Sequence, residues 1–128
     1  MKKGFKQLLA EANAAIETIS VQQALALVDD PTVQLVDIRE QVEVAASGMI
    51  PGAVHAPRGL LEFIVDPESP MHKPPLASGK KLVLYCASGG RSALSAKTLQ
   101  DMGITNVCHM AGGITAWKAA NGPVKPPG

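Results

Sequence analysis

Cys86 stands where an apolar run, Leu82-Val83-Leu84-Tyr85, gives way to Ala87-Ser88-Gly89-Gly90-Arg91. A thiol followed by four small residues and an arginine is a pattern that can do chemistry. Two glycines let the chain take backbone angles that other residues resist, so it can turn sharply. Consecutive N–H groups can then converge and form a concave anion site, and the start of a following helix adds to the same field. Such dipoles and a nearby guanidinium favour the thiolate, which lowers the pKa from the free value of about 8.5. The thiolate is the nucleophile. The cradle that ionises it can also hold an anionic substrate or a charge carried on an attached sulfur. The small residues of the loop predict an accessible sulfur. The plainer alternative is a buried cysteine followed by an ordinary strand-to-helix turn. Position, glycines and arginine together favour the reactive thiol.

Other residues compete for a role. Asp37 and Arg39 follow a short apolar run and so fall near the same end of a sheet. Asp37 is a candidate for the pocket rim, although a structural role ranks ahead of it, because buried carboxylates need hydrogen bonds in any case. Arg39 is placed to pair with Glu40 or Glu43. Arg58 follows Ala56-Pro57 and is a second rim candidate that could attract an anion, weighed evenly against a plain surface arginine. His55 reads as a satisfied core histidine, and His72 as a solvated one in a proline-rich loop that could border the site. His109 has no neighbours at metal-ligand spacing. Cys108, between Val107 and His109, reads as core rather than as a resolving thiol. Trp117 reads as packing on the sheet.

These residues need elements to position them. Residues 3–16 read as a helix with Phe5, Leu8, Leu9, Ala12 and Ile16 near one stripe. Ser20 is an N-cap for a helix through Val28. Residues 33–36 form a short strand, 41–47 a short helix stopped by Gly48, and 53–56 another strand after the Pro51-Gly52 turn. Residues 59–65 hold one or two helical turns, and the four prolines of 66–79 mark a loop. Then come a strand over 81–85, a helix over 92–102 capped by Gly103, a strand over 107–110, and a helix from Gly112-Gly113 through Ala120. Apolar strands alternating with helices predict an α/β fold with a mostly parallel sheet covered on both faces. Ligands of such sheets sit beyond the carboxyl ends of the strands, where Cys86 falls.

Composition narrows the function classes. The 128 residues fit one domain, and 46% hydrophobic content excludes a disordered chain. Aromatics are only 3%, so the core must be aliphatic. A net charge of +1, from 12 basic and 11 acidic residues, gives no footprint for nucleic acid or an anionic membrane. Two cysteines are too few for a disulfide scaffold. No segment reads as a membrane span or a signal peptide, so a reducing cytoplasm is the expected compartment. No metal or cofactor is called for.

Three segments carry a resemblance to the rhodanese family of sulfurtransferases. "LVDIRE" (35–40) with "GMIPGAVHAP" (48–57) resembles the family's first signature, "YCASGGRS" (85–92) its active-site loop, and "MAGGITAW" (110–117) its second signature. Met49 stands where the family often has histidine. The match covers about residues 18–121 and implies a rhodanese-like domain there. It leaves an N-terminal helical extension at 1–17, which could dock on its own domain or on a second copy, and a flexible proline- and glycine-rich tail at 122–128. The implied fold is a three-layer α/β/α sandwich around a mostly parallel sheet of about five strands. The implied chemistry is attack by Cys86 on the outer sulfur of an anionic donor such as thiosulfate. The persulfide so formed is emptied by a thiophilic acceptor such as cyanide or a thiol. Backbone N–H groups of Ala87, Ser88, Gly89, Gly90 and Arg91 would hold it, with Arg91 giving charge or holding the loop's shape. Rhodaneses set four residues between cysteine and arginine, and related phosphatases set five. Ala87 to Gly90 are four, which favours sulfur over a phosphate ester. A persulfide carrier fed by a relay protein is the alternative, with a phosphatase or arsenate reductase behind it. The oligomeric state is left open.

Overall fold

The computed structural model describes residues 1–127; Gly128, the last residue of the expected tail, lies outside the described residues. In chain order the elements are α1 (Phe5–Ala15), β1 (Glu17–Ile19), α2 (Val21–Leu25), β2 (Val33–Asp37), α3 (Gln41–Ser47), β3 (Val54–His55), α4 (Leu61–Val65), β4 (Lys81–Tyr85), α5 (Gly90–Asp101), β5 (Val107–Met110) and α6 (Gly113–Ala119). Single turns of 3-10 helix lie at Arg58–Leu60 and Pro74–Ala77. The sheet has five strands in the order β1-β5-β4-β2-β3, and every pairing is parallel. The α/β expectation holds. None of the described helices is long and apolar enough to cross a membrane.

Burial explains why these segments fold as they do. In β4, Leu82, Val83, Leu84 and Tyr85 are all buried, as a central strand covered on both faces requires. Alternate residues face opposite sides. Leu82, Leu84 and Cys86 join the cluster built with Ala93, Ala96 and Leu99 of α5 and Ala12 of α1. Val83 and Tyr85 join the other cluster, with Cys108, Met110, Ile114 and Trp117. Trp117 is fully buried, and its Nε1 donates to the Pro123 carbonyl at 2.7 Å.

Four details differ from the sequence expectation. Strand β1 is an edge strand that the sequence reading passed over; only Ile19 of its three residues is buried. Ser20 caps α2 as expected, in a capping box with Gln23, but the α-helix ends at Leu25. Helix α5 starts at Gly90 rather than Ser92, because Gly89 takes a left-handed conformation (φ 113°) and serves as its cap. The proline-rich segment after α6 is tied back along the domain as far as Lys125, which pairs with Met49 through N–H···O bonds of 3.1 and 2.7 Å.

Candidate active site

Cys86 is the first residue beyond β4, at the carboxyl edge of the sheet. The chain then has three residues in which to turn before α5 begins. Gly89 makes the turn possible, since its φ is strained for any residue with a Cβ. The turn aims hydrogen bonds at the sulfur. Gly89 N–H donates to Sγ at 3.1 Å and Ser92 N–H at 3.4 Å, and the Ser92 hydroxyl lies 3.6 Å away. Burial pushes the thiol up, but hydrogen bonds from the Ser92 hydroxyl and from the N–H groups of Ser92, Gly89 and Ser88 outweigh it. The pKa of Cys86 therefore falls below the ordinary value.

The expectation of an open sulfur needs correction, because Cys86 is 1% exposed. The residues beside it are small, but the turn is tight enough for its own N–H groups to close on the sulfur. Ser88 is exposed and Ala87 half-buried, so the tip of the loop faces solvent.

Helix α6 fixes the loop from the other side. Ile114 N–H donates to the Cys86 carbonyl at 2.9 Å, and Thr115 N–H to the Ala87 carbonyl at 3.1 Å. Gly113 (φ 59°) lies so close that a Cβ there would collide with both carbonyls. The glycine pair at 112–113 thus lets a helix N-terminus seat directly under the cysteine loop.

Arg91 does not lie on the sulfur. Its Nη1 and Nη2 bond the two carboxylate oxygens of Glu43 at 2.6 and 2.9 Å, tying α5 to α3. That fork holds Glu43 down, from 4.5 to about 2, and raises Arg91. The side chain thus anchors the start of α5 to α3.

Asp37 is not on a pocket rim. It is fully buried, because Arg39 closes on it: Nε bonds Oδ1 and Oδ2 at 3.0 and 3.2 Å, Nη2 bonds Oδ2 at 2.7 Å, and the Arg39 N–H donates to Oδ1 at 3.0 Å. Arg39 pairs with Asp37 rather than with Glu40 or Glu43, and also donates to the Gly48 carbonyl at 2.6 Å. The pair therefore locks the exit of β2 onto the end of α3. Arg58 lines a hollow between α1 and α5 with Leu8, Glu11, Leu94 and Lys97, and no residue of 86–92 lines it. His55 bonds the Arg39 carbonyl at 2.7 Å, and His72 is held by the Ile64 carbonyl at 3.0 Å rather than free in solvent. Cys108 is buried on the opposite face of the sheet, where burial pushes its thiol up to about 11.

The sequence assigns three residues of this region no part in the site. Glu43 carries no signal without its partner Arg91. Ser92 reads in sequence as a helix start. His109, 3% exposed, places Nδ1 3.0 Å from Ser92 Oγ. Strand parity could have found it, since Leu84 pairs with His109 and lies two residues before Cys86.

The fold class is a five-stranded parallel α/β sheet that holds a hydrogen-bonded thiol just beyond the end of a central strand. More specifically, the chain belongs to the rhodanese-like family: the model of the rhodanese-like domain matches residues 20–120. A sulfurtransferase of Allochromatium vinosum is 35% identical over 88% of this chain and 94% of its own length. A solved protein of unknown function from Rhodopseudomonas palustris, described as a possible tyrosine phosphatase, is 47% identical with a TM-score of 0.93, covering 98% of this chain and 96% of that one. The polysulfide-sulfur transferase homodimer of Wolinella succinogenes is 28% identical with a TM-score of 0.71, covering 94% of this chain and 86% of that one. The family is one of sulfurtransferases, and the chain is a member of it.

Proposed function

We propose that the protein moves a sulfane sulfur from thiosulfate or a similar anionic donor to a thiophilic acceptor, through a persulfide on Cys86. The observation that carries this reading is the convergence of N–H groups and a hydroxyl on a single sulfur, outweighing its burial. The Cys86 thiolate attacks the outer sulfur of thiosulfate, the S–S bond breaks, and sulfite leaves with the bonding pair. The negative charge now sits on the outer sulfur of the persulfide. The same cradle of main-chain donors stabilises it, as an oxyanion hole stabilises developing charge. An acceptor such as cyanide then takes that sulfur, leaves as thiocyanate, and returns the thiolate. The donor approaches from the tip of the loop, where Ala87 is half-buried and Ser88 exposed.

The likeness to a possible tyrosine phosphatase gives a second reading, hydrolysis of a phosphate ester by the same nucleophile. The four-residue spacing speaks against it. So does Arg91, whose guanidinium is already forked onto Glu43 and so is not free to clamp phosphate oxygens. Intact-mass analysis separates the two. After thiosulfate the protein gains the mass of one sulfur, Cys86→Ser gains none, and cyanide removes the gain as thiocyanate. No gain with thiosulfate, together with Cys86-dependent hydrolysis of p-nitrophenyl phosphate, overturns the proposal in favour of the phosphatase. Loading only from a cysteine desulfurase identifies a carrier.

A further inference from the structure

The Ser92 hydroxyl has one hydrogen and three neighbours that could receive it: the Gly89 carbonyl at 3.2 Å, His109 Nδ1 at 3.0 Å and Cys86 Sγ at 3.6 Å. Which one takes it depends on where the imidazole carries its own hydrogen. His109 Nε2 is buried and finds no hydrogen-bond partner among the described residues. With the hydrogen on Nε2, a donor would be orphaned in the interior and Nδ1 would accept from Ser92, leaving nothing for the sulfur. With the hydrogen on Nδ1, the ring donates to Ser92 Oγ and only a lone pair is left unmatched. Orphaned buried N–H groups are the rarer fault. The Ser92 hydrogen is then free, and a thiolate outcompetes a neutral carbonyl for it, because hydrogen bonds to an ionised partner are roughly twice as strong.

We propose that His109 is a positioning residue for Cys86: its Nδ1–H donates to Ser92 Oγ and so turns the hydroxyl hydrogen onto the sulfur. Parity supports the arrangement, since Val107 packs in the same cluster as Cys86, and His109, two residues on, shares its face of β5. The flanking partners in register are Thr18 of β1 and Leu84 of β4, neither of them charged. Burial pushes His109 down, which keeps the ring neutral at and above neutrality. Arg91, whose charge acts on the thiol, is forked onto Glu43 and makes no contact with His109. The effect of His109 therefore travels through Ser92 alone.

This assignment rests on Cys86 working as an anion, and sulfur loading of the unaltered protein tests that separately. The test of His109 is the pH dependence of Cys86 alkylation by iodoacetamide, read at that residue by peptide mass analysis. Ser92→Ala raises the midpoint by roughly one pH unit, the size of one lost hydrogen bond to a charged group, and His109→Leu raises it by about half as much, because the hydroxyl keeps its hydrogen for the thiolate but loses the N–H that holds and polarises its oxygen. His109→Asn, whose amide N–H can reach the same oxygen, keeps the midpoint within a few tenths. The double variant Ser92→Ala/His109→Leu goes no further than Ser92→Ala. In the unaltered protein, nitrogen NMR of labelled histidine finds the hydrogen of His109 on Nδ1. A hydrogen on Nε2, or a His109→Leu midpoint at the unaltered value while Ser92→Ala moves, overturns the proposal even if thiosulfate still loads the thiol.

Discussion

At the scale of single residues, the donors that bond the sulfur are backed by groups that do not touch it. Arg91 is the clearest case. It is the one charged side chain in the loop, yet its fork is spent on Glu43. Both partners are about a third exposed, 36% and 31%, so solvent screening holds the pair to about 0.5–1 kcal/mol. Its pH dependence has a defined sign. Glu43 is depressed in the folded protein, from 4.5 to about 2, so the pair's contribution is complete above 4.5 and fades as pH falls towards 2. Urea unfolding at pH 7 is expected to find Glu43→Gln less stable than the unaltered protein by about that amount. The gap narrows as the pH is lowered towards 3. A gap that stays constant across that range shows that the carboxylate charge is not its source.

At the scale of elements, the cysteine loop is a joint between β4, α5 and α6, and the glycines at that joint are not equivalent to glycines elsewhere. Gly113 and Gly52 both have positive φ, 59° and 81°, but only Gly113 would drive a Cβ into the loop carbonyls; around Gly52 nothing lies within 4 Å. Gly52→Ala is expected to cost about 1 kcal/mol through backbone strain and to leave thiosulfate loading unchanged. Gly113→Ala adds overpacking, for a total of roughly 2–4 kcal/mol, and slows loading because the loop must shift. Equal losses in the two variants, measured by denaturation and by intact mass, exclude α6 as a support of the loop. Much of this joint was legible in the sequence. Leu82 to Tyr85 is apolar and short, and Gly112-Gly113 marks a helix start. The rest depended on partners far along the chain. Glu17-Thr18-Ile19 has no strand pattern of its own and becomes β1 only by pairing with Cys108 to Met110. Asp37 looks the same in sequence whether it faces a pocket or a buried guanidinium. The closure of the loop over Cys86 follows from main-chain hydrogen bonds, which side-chain size does not reveal.

At the scale of the whole molecule, the question is whether α1 belongs to the domain. The family match starts at residue 20, downstream of it. Yet Ala12 and Ile16 are buried in the cluster that includes Cys86, Leu9 packs against it, and Gln100 of α5 donates to the Ala15 carbonyl at 3.0 Å. Leu9 also reaches the helix start beside the loop, its Cδ2 standing 4.0 Å from where a Cβ on Gly90 would be. Removing residues 1–16 therefore uncovers one face of α5. At about 1.5–3 kcal/mol for a fully buried aliphatic side chain, Ile16 and a half-buried Leu9 together account for roughly 2–4 kcal/mol. Trp117, the single tryptophan, lies in the other cluster and reports unfolding without being disturbed by the cut. The shortened chain is expected to keep the native fluorescence of Trp117 but to lose that stability in urea. Its alkylation at Cys86 should quicken, because the helix that carries Ser92 loses its cover. Stability within about 0.5 kcal/mol of the full chain shows instead that α1 rests on the surface without contributing to the core.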